Sequence, residues 1–104
     1  MKFEWDSIKN DLNKLKHGIS FETAESVFLD KYAVYLYDEI HSSDESRFVV
    51  IGKEDTFKTE LTVCHCYRGA NEEIIRIISA RKATKKEAII YQTGGAEEWK
   101  RNIA

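Results

Sequence analysis

The segment from Ile74 to Lys86 constrains the fold of this chain more than any other. It begins with four isoleucines around a single arginine, Arg76, and such a β-branched run predicts a buried strand. Near its end, Thr84 and the following Glu87 fit the Thr-x-x-Glu pattern of a capping box, which predicts the start of a helix. A core strand therefore runs directly into a helix.

The same segment is strongly basic. It carries no acidic residue and five basic ones, which are Arg76, Arg81, Lys82, Lys85 and Lys86. A charge inside a core strand is costly unless it is paired or faces a cleft, and lysines in the first turn of a helix oppose the helix dipole. A bound anion at the junction would remove both costs. The segment therefore predicts an anion-binding site where the strand becomes the helix.

The length and the charge distribution of the chain limit its domain number, its location and the kind of anion site it can form. A chain of 104 residues with 42% hydrophobic residues suffices for one packed domain, predicted over residues 1–104 with 94–104 as a short tail. No apolar run reaches the ~20 residues of a membrane span, and the first residues lack a signal-peptide pattern, so we expect a cytoplasmic protein. Residues 1–60 have a net charge of −5 and residues 61–104 of +3, which favours a local anion site over a general polycationic surface.

Hydrophobic periodicity predicts an α+β fold, with an N-terminal short strand and two helices, a four-stranded antiparallel meander and a C-terminal helix. The first helix follows Asp6 and is expected to bury Ile8, Leu12 and Leu15, leaving a solvated face of Lys9, Asn10, Asn13 and Lys16. The second spans residues 21–29, and the last spans 85–93. The meander strands are predicted in 32–40, 47–52, 61–68 and from Ile74 onward. We expect the helices to pack on one face of this sheet.

Strand alternation indicates which side chains share a face. Thr62, Cys64, Cys66 and Arg68 share one face of their strand, whereas Arg76 and Arg81 are predicted on opposite faces of the next. The hairpin register decides whether Arg68 lies beside Arg76 or on the side of Arg81. Either arrangement brings two arginines together near small side chains. Alternatively, each arginine is a structural ion-pair partner, with Glu39, Glu45 or Glu60 available for Arg76.

The chain resembles the BrnT family in order and spacing over residues 3–91. The longest matching stretches are Phe3-Glu-Trp-Asp6, Lys16-His-Gly-Ile-Ser-Phe-Glu22, Glu45-x-Arg-Phe-Val-Val-Ile-Gly52, and Arg76-Ile-Ile-Ser-Ala-Arg-Lys-Ala-Thr-Lys-Lys-Glu87 followed by Tyr91. The resemblance implies a RelE-like fold and a ribonuclease toxin of a type II toxin–antitoxin pair. Its implied partners are RNA, either free mRNA or mRNA on the ribosome, and a BrnA-like ribbon-helix-helix antitoxin. Contact with DNA would be only indirect, through that antitoxin, and no membrane is involved.

The implied enzyme is a metal-independent endoribonuclease that inhibits translation and needs no cofactor. Arginine suits the role because its planar guanidinium binds phosphate through two hydrogen bonds and stays charged. Predicted catalytic residues are Arg68, Arg76, Arg81 and Glu45, and predicted substrate-binding residues are Lys82, Lys9, Lys85, His17 and Arg47. His41, His17 and Lys82 are further candidates for the acid or base. The alternatives are a non-catalytic module that binds an anion or a partner, and an inactive toxin copy. We expect no metal site, because Cys64 and Cys66 point away from His65.

Overall fold

The structure is a computed structural model that describes residues 1–95, so the predicted tail around Trp99 lies outside the described residues. The chain begins with a short strand and two helices, continues through four strands and reaches a third helix. The elements are β1 (Lys2–Glu4), α1 (Ser7–His17), α2 (Phe21–Glu25) with a 3-10 helix (Ser26–Leu29) directly after it, β2 (Val34–Tyr37), β3 (Phe48–Lys53), β4 (Glu60–Arg68), β5 (Ile74–Lys82) and α3 (Lys85–Gln92).

The predicted α+β class is confirmed, and the meander forms the centre of a five-stranded mixed sheet. Strands β2 to β5 pair consecutively and antiparallel, while β1 joins the far edge by pairing parallel with β5, giving the order β1-β5-β4-β3-β2. Helix ends follow the capping signals in the sequence. Asp6 caps α1, Gly18 ends it with φ of 72°, and Thr84 and Glu87 form the predicted capping box at α3.

The helices lie on both faces of the sheet, so the prediction of a single helical face is wrong. Helix α2 and the 3-10 helix bury Phe21, Ala24 and Val27 against one face. Helix α3 packs Ile90 and Tyr91 onto Ile51 of β3 on the other face. It covers that face near β3. Of the side chains that β4 and β5 present there, Thr62 and Cys66 are buried, whereas the arginines are exposed or partly exposed.

Helix α1 buries its asparagines and exposes its apolar stripe, the reverse of the prediction. Ile8, Leu12 and Leu15 are 68%, 57% and 84% exposed, whereas Asn10 and Asn13 are buried. The side chain of Asn13 donates to the carbonyls of Ile19 and Ala80, both at 2.8 Å, and accepts from the Ala80 N–H at 3.2 Å. Strand β1 pairs only with residues 74–76 of β5, so Ala80 lies beyond it and Asn13 supplies its hydrogen bonds.

A β-bulge in β5 changes which residues share a face. Cys64 pairs with Ser79 and His65 with Ile77, so Ile78 has no partner opposite it. Ile77 and Ala80 therefore both face the helices, and Arg76 and Arg81 both face the other way. The predicted placement of these arginines on opposite faces is wrong because it assumed strict alternation.

His65 of β4 is fully buried in an aromatic cluster on the helix side. Its ring packs against the rings of Phe28, Tyr35, Phe48 and Tyr67. Its Nδ1 lies 3.2 Å from the Val63 carbonyl and its Nε2 lies 3.3 Å from the Tyr67 hydroxyl. A carbonyl only accepts, so Nδ1 carries the proton and Nε2 accepts from the hydroxyl. Burial lowers the pKa of His65 below its ordinary value of 6.5.

We therefore expect the free energy of unfolding to decrease as the pH falls below about 6.5, the pKa of histidine in an unfolded chain. In that range the unfolded chain binds a proton that folded His65 does not, so stability is complete above this pKa and falls by up to ~1.4 kcal/mol per pH unit. His65→Phe should flatten the dependence, whereas His17→Gln should keep it. Urea titrations between pH 5 and 7.5 measure this. A pH dependence unchanged in His65→Phe would contradict it.

Candidate functional site

Three arginines point from β4 and β5 to the face opposite α1 and α2. Arg68, Arg76 and Arg81 each form an ion pair with a different carboxylate: Glu45 at 2.9 Å, Glu4 at 2.7 Å and Glu87 at 2.6 Å, respectively. Arg76 thus pairs with Glu4, not with Glu39, Glu45 or Glu60. In the register, Arg68 lies opposite Ile74 and Arg76 opposite Cys66, so the two arginines are not directly paired. We call this surface the arginine face.

At the junction of β5 and α3, where the sequence predicts a bound anion, lies the carboxylate of Glu87. Both oxygens of Glu87 accept from the guanidinium of Arg81, at 2.6 and 2.9 Å, and Glu87 also accepts from the Thr84 N–H. Burial alone raises the pKa of Glu87, but these hydrogen bonds outweigh burial and hold it at about 2. The Thr62 hydroxyl also lowers this pKa from nearby, although it falls short of hydrogen-bond geometry. Arg81 is thereby fixed in place, while Lys85 remains exposed.

Glu45 lies between two arginines. It pairs with Arg68 at 2.9 Å and lies 3.9 Å from Arg47. Such partly exposed pairs contribute only about 0–1 kcal/mol, so a phosphate can compete with Glu45 for the guanidinium of Arg68. The contacts make Glu45 a partner of the arginines, and its predicted catalytic role stays a prediction.

A hollow of about 220 Å³ lies between the loop after β2 and the strands β3, β4 and β5. We call it the Arg47–Arg81 hollow. Its walls are Asp38, His41, Arg47, Val49, Thr62, Cys64, Ile78, Ser79 and Arg81. Two arginines and several small polar side chains thus surround a space open to solvent. Burial raises the pKa of the Cys64 thiol, which therefore stays protonated at neutral pH.

Two polar atoms of the hollow have no partner within residues 1–95. They are the Nε of Arg47 and the hydroxyl of Thr62, both buried. Most buried polar atoms in native proteins are hydrogen-bonded, and an unpaired one costs about 1–3 kcal/mol. Both groups donate hydrogen bonds, so a ligand with acceptor oxygens would remove this cost.

A histidine stands at the rim of the same hollow, held by an aspartate. The Nδ1 of His41 lies 2.9 Å from Oδ2 of Asp38, whose other oxygen accepts from the His41 N–H. The loop is closed by a 2.8 Å hydrogen bond from the Asp38 N–H to the Arg47 carbonyl. The loop therefore holds His41 and Arg47 at one end of the arginine face.

Three predicted site residues lie in the helix layer or on its side of the sheet. Lys82 pairs opposite Leu61 and lines a separate cavity of about 320 Å³ beside Gly18 and Phe57. Lys9 and His17 lie on α1, which packs against β5 on that side. Neighbouring residues of a strand point to opposite faces, so Lys82 diverges from Arg81.

Sequence reasoning did not single out Asp38, placed Thr62 only among the small residues that share a face with Arg68, and listed His41 only among several candidate bases. The spacing of Asp38 and His41 allows a hydrogen bond within a turn, but it does not show that this turn faces the arginines. Within residues 1–95, no group of three or more His, Cys, Asp or Glu side chains is arranged to hold a metal ion, and Cys64 and Cys66 are free thiols. In the same part of the chain, the helices are too short or too polar to cross a membrane.

Comparisons with known proteins agree on one family. The family model described as "Ribonuclease toxin, BrnT, of type II toxin-antitoxin system" matches residues 5–87. A structure similar to this one is the crystal structure of the Brucella abortus ribonuclease toxin, BrnT, with a TM-score of 0.61 and 26% sequence identity. The match covers 82% of this chain and 99% of that one. No curated protein sequence matches the chain.

Proposed function

We propose that this chain, which belongs to the BrnT family of ribonuclease toxins of type II toxin–antitoxin systems, is an active endoribonuclease. Its substrate is mRNA, either free or on the ribosome, and its cleavage inhibits translation. We place its action in the cytoplasm, where translation occurs, and propose that residues 1–104 act as one toxin domain. A BrnA-type ribbon-helix-helix antitoxin neutralises it and provides its only link to DNA.

The bulge at Ile78 is the observation that carries this proposal. Because of it, Arg76 and Arg81 join Arg68 on one face, beside a hollow that also contains Arg47. RNA presents a row of phosphates, and guanidinium groups bind phosphate oxygens through two hydrogen bonds. Exchange of Glu45 or Glu4 for a phosphate therefore costs little.

In RNA cleavage through the 2′-hydroxyl, negative charge builds up on the phosphorus-bound oxygens in the transition state. Fixed guanidinium groups stabilise that charge most strongly when they need no reorganisation. Arg81 meets this condition because Glu87 holds both of its terminal nitrogens. We propose that this chemistry uses side chains alone, without a metal ion.

We expect Arg68→Ala and Arg81→Gln each to relieve the growth arrest caused by expression of the parent chain. Loss of one transition-state donor costs about 10²–10³-fold in rate, and glutamine at position 81 still offers Glu87 a hydrogen bond. Cleavage of a defined RNA by purified variants measures the effect. Lys14→Ala removes a positive charge from α1, in the helix layer, and should remain as active as the parent.

These experiments distinguish an active ribonuclease from a binding module and from an inactive toxin copy. If both arginine variants remain fully toxic while folded, the assigned face is wrong. If the purified parent binds RNA without cutting it, the chain is a binding module or an inactive toxin copy. Cleavage that persists in excess chelator supports metal independence, and growth restored by co-expression of a neighbouring ribbon-helix-helix gene supports the antitoxin.

A further inference from the structure

The Arg47–Arg81 hollow brings together unpaired donors and a held histidine on the arginine face. Arg68, Arg76 and Arg81 each have a carboxylate partner, whereas within residues 1–95 Arg47 has only the distant contact to Glu45 at 3.9 Å. Its Nε is buried without a hydrogen-bond partner in the described part of the chain. Among these four arginines, Arg47 therefore has the most hydrogen-bonding capacity left for a ligand.

Thr62 provides a second, independent sign of a ligand. Its side chain is only 3% exposed and lines the hollow from β4, and its hydroxyl has no hydrogen-bond partner within residues 1–95. A valine would fill the same space without leaving a polar atom unpaired. The hydroxyl lies close enough to the Glu87 carboxylate to lower its pKa but falls short of hydrogen-bond geometry with it, so it can donate to an acceptor oxygen placed in the hollow.

Asp38 determines which ring nitrogen of His41 carries the proton. A carboxylate only accepts, so the 2.9 Å contact to Nδ1 places the ring proton on that nitrogen in the neutral imidazole. The lone pair of Nε2 is then available to take a proton. A base oriented by a carboxylate beside an anion-binding hollow is the arrangement that general base catalysis requires.

We propose that the hollow holds the scissile phosphate of RNA between Arg47, Thr62 and Arg81, and that His41 is the general base with Asp38 as its positioning residue. This deepens the proposed function and depends on it.

In the proposed reaction, Nε2 of His41 takes the proton of the ribose 2′-hydroxyl, and the 2′ oxygen forms a bond to phosphorus. The bond from phosphorus to the 5′ oxygen breaks, and that oxygen leaves with the electron pair and takes a proton from water. The imidazolium then neutralises the hydroxide formed, leaving a 2′,3′-cyclic phosphate and a 5′-hydroxyl.

The catalytic part is tested on the purified full chain with a synthetic RNA oligonucleotide under single-turnover conditions. His41→Gln should slow cleavage by about 10²–10⁴-fold, the usual contribution of a general base, with little change in RNA affinity. Asp38→Asn should also slow cleavage, because its amide can donate to Nδ1 and move the ring proton to Nε2. Nitrogen NMR of the ring detects that tautomer change, which a merely structural role would not produce. Glu39→Gln, the neighbouring exposed carboxylate, should cleave as the parent does.

The binding part is tested separately by titration with inorganic phosphate. Thr62→Val should weaken phosphate binding by about 10-fold, equivalent to one charged hydrogen bond, whereas the exposed Thr56→Val should not. If His41→Gln cleaves at the parent rate while Arg68→Ala does not, the inference fails and the ribonuclease assignment stands. If the parent cleaves no RNA, the catalytic part fails with the proposed function. Unchanged phosphate binding in Thr62→Val overturns the anion site in either case.

Discussion

Asn13→Ala is expected to lower the free energy of unfolding by at least about 3 kcal/mol, because it leaves three buried backbone groups without partners at roughly 1–3 kcal/mol each. These groups are the carbonyl of Ile19 and both the N–H and the carbonyl of Ala80. No neighbouring strand can replace the asparagine, since β1 ends before reaching this part of β5. Urea denaturation monitored by circular dichroism measures the loss.

The matched control is Asn71→Ala, at an exposed asparagine in the turn between β4 and β5. Its unfolding free energy should stay within about 0.5 kcal/mol of the parent, as is usual for surface substitutions. A loss below 1 kcal/mol for Asn13→Ala would show that water or a local rearrangement satisfies the edge of β5 without it.

Insertion of an alanine directly after Ile78 is expected to abolish the folded state. The bulge already takes up one extra residue, so a second one shifts the phase of the rest of β5, and the side chain of Arg81 would turn to the helix side and Ala80 to the solvent side. Burying an unpaired guanidinium costs several kcal/mol, and Glu87 would lose the partner that holds its pKa at about 2. A small domain has only about 5–15 kcal/mol of stability to lose.

Two comparisons make this test specific. Ile78→Val keeps the chain length and the bulge, so it should remain folded and should retain RNA cleavage. Insertion of an alanine after Asn71 lengthens only the exposed turn and should be far less damaging than the insertion after Ile78. Circular dichroism and limited proteolysis report the folded state. A folded and active chain with the extra alanine after Ile78 would show that the phase of β5 does not place Arg81.

Some elements were predicted correctly from the sequence and others were not, and the difference has a physical reason. Capping residues act within one turn, so Asp6, Gly18 and the Thr84–Glu87 box correctly marked helix ends. The strands of the meander followed from β-branched runs separated by polar turns. Helix α1 was inverted in the prediction because its side-chain contacts depend on a strand edge almost 70 residues away in the chain, where Ala80 needs hydrogen bonds from Asn13.

The sequence by itself determined the element types, the family and the basic character of the segment from Ile74 to Lys86, because these depend on local patterns and residue order. Only the tertiary structure decided that one unpaired isoleucine turns Arg76 and Arg81 to the same side, and that Asp38 and His41 face Arg47. Strand register and loop closure depend on hydrogen bonds between distant residues. A periodic pattern does not record an inserted residue that shifts the phase of everything after it.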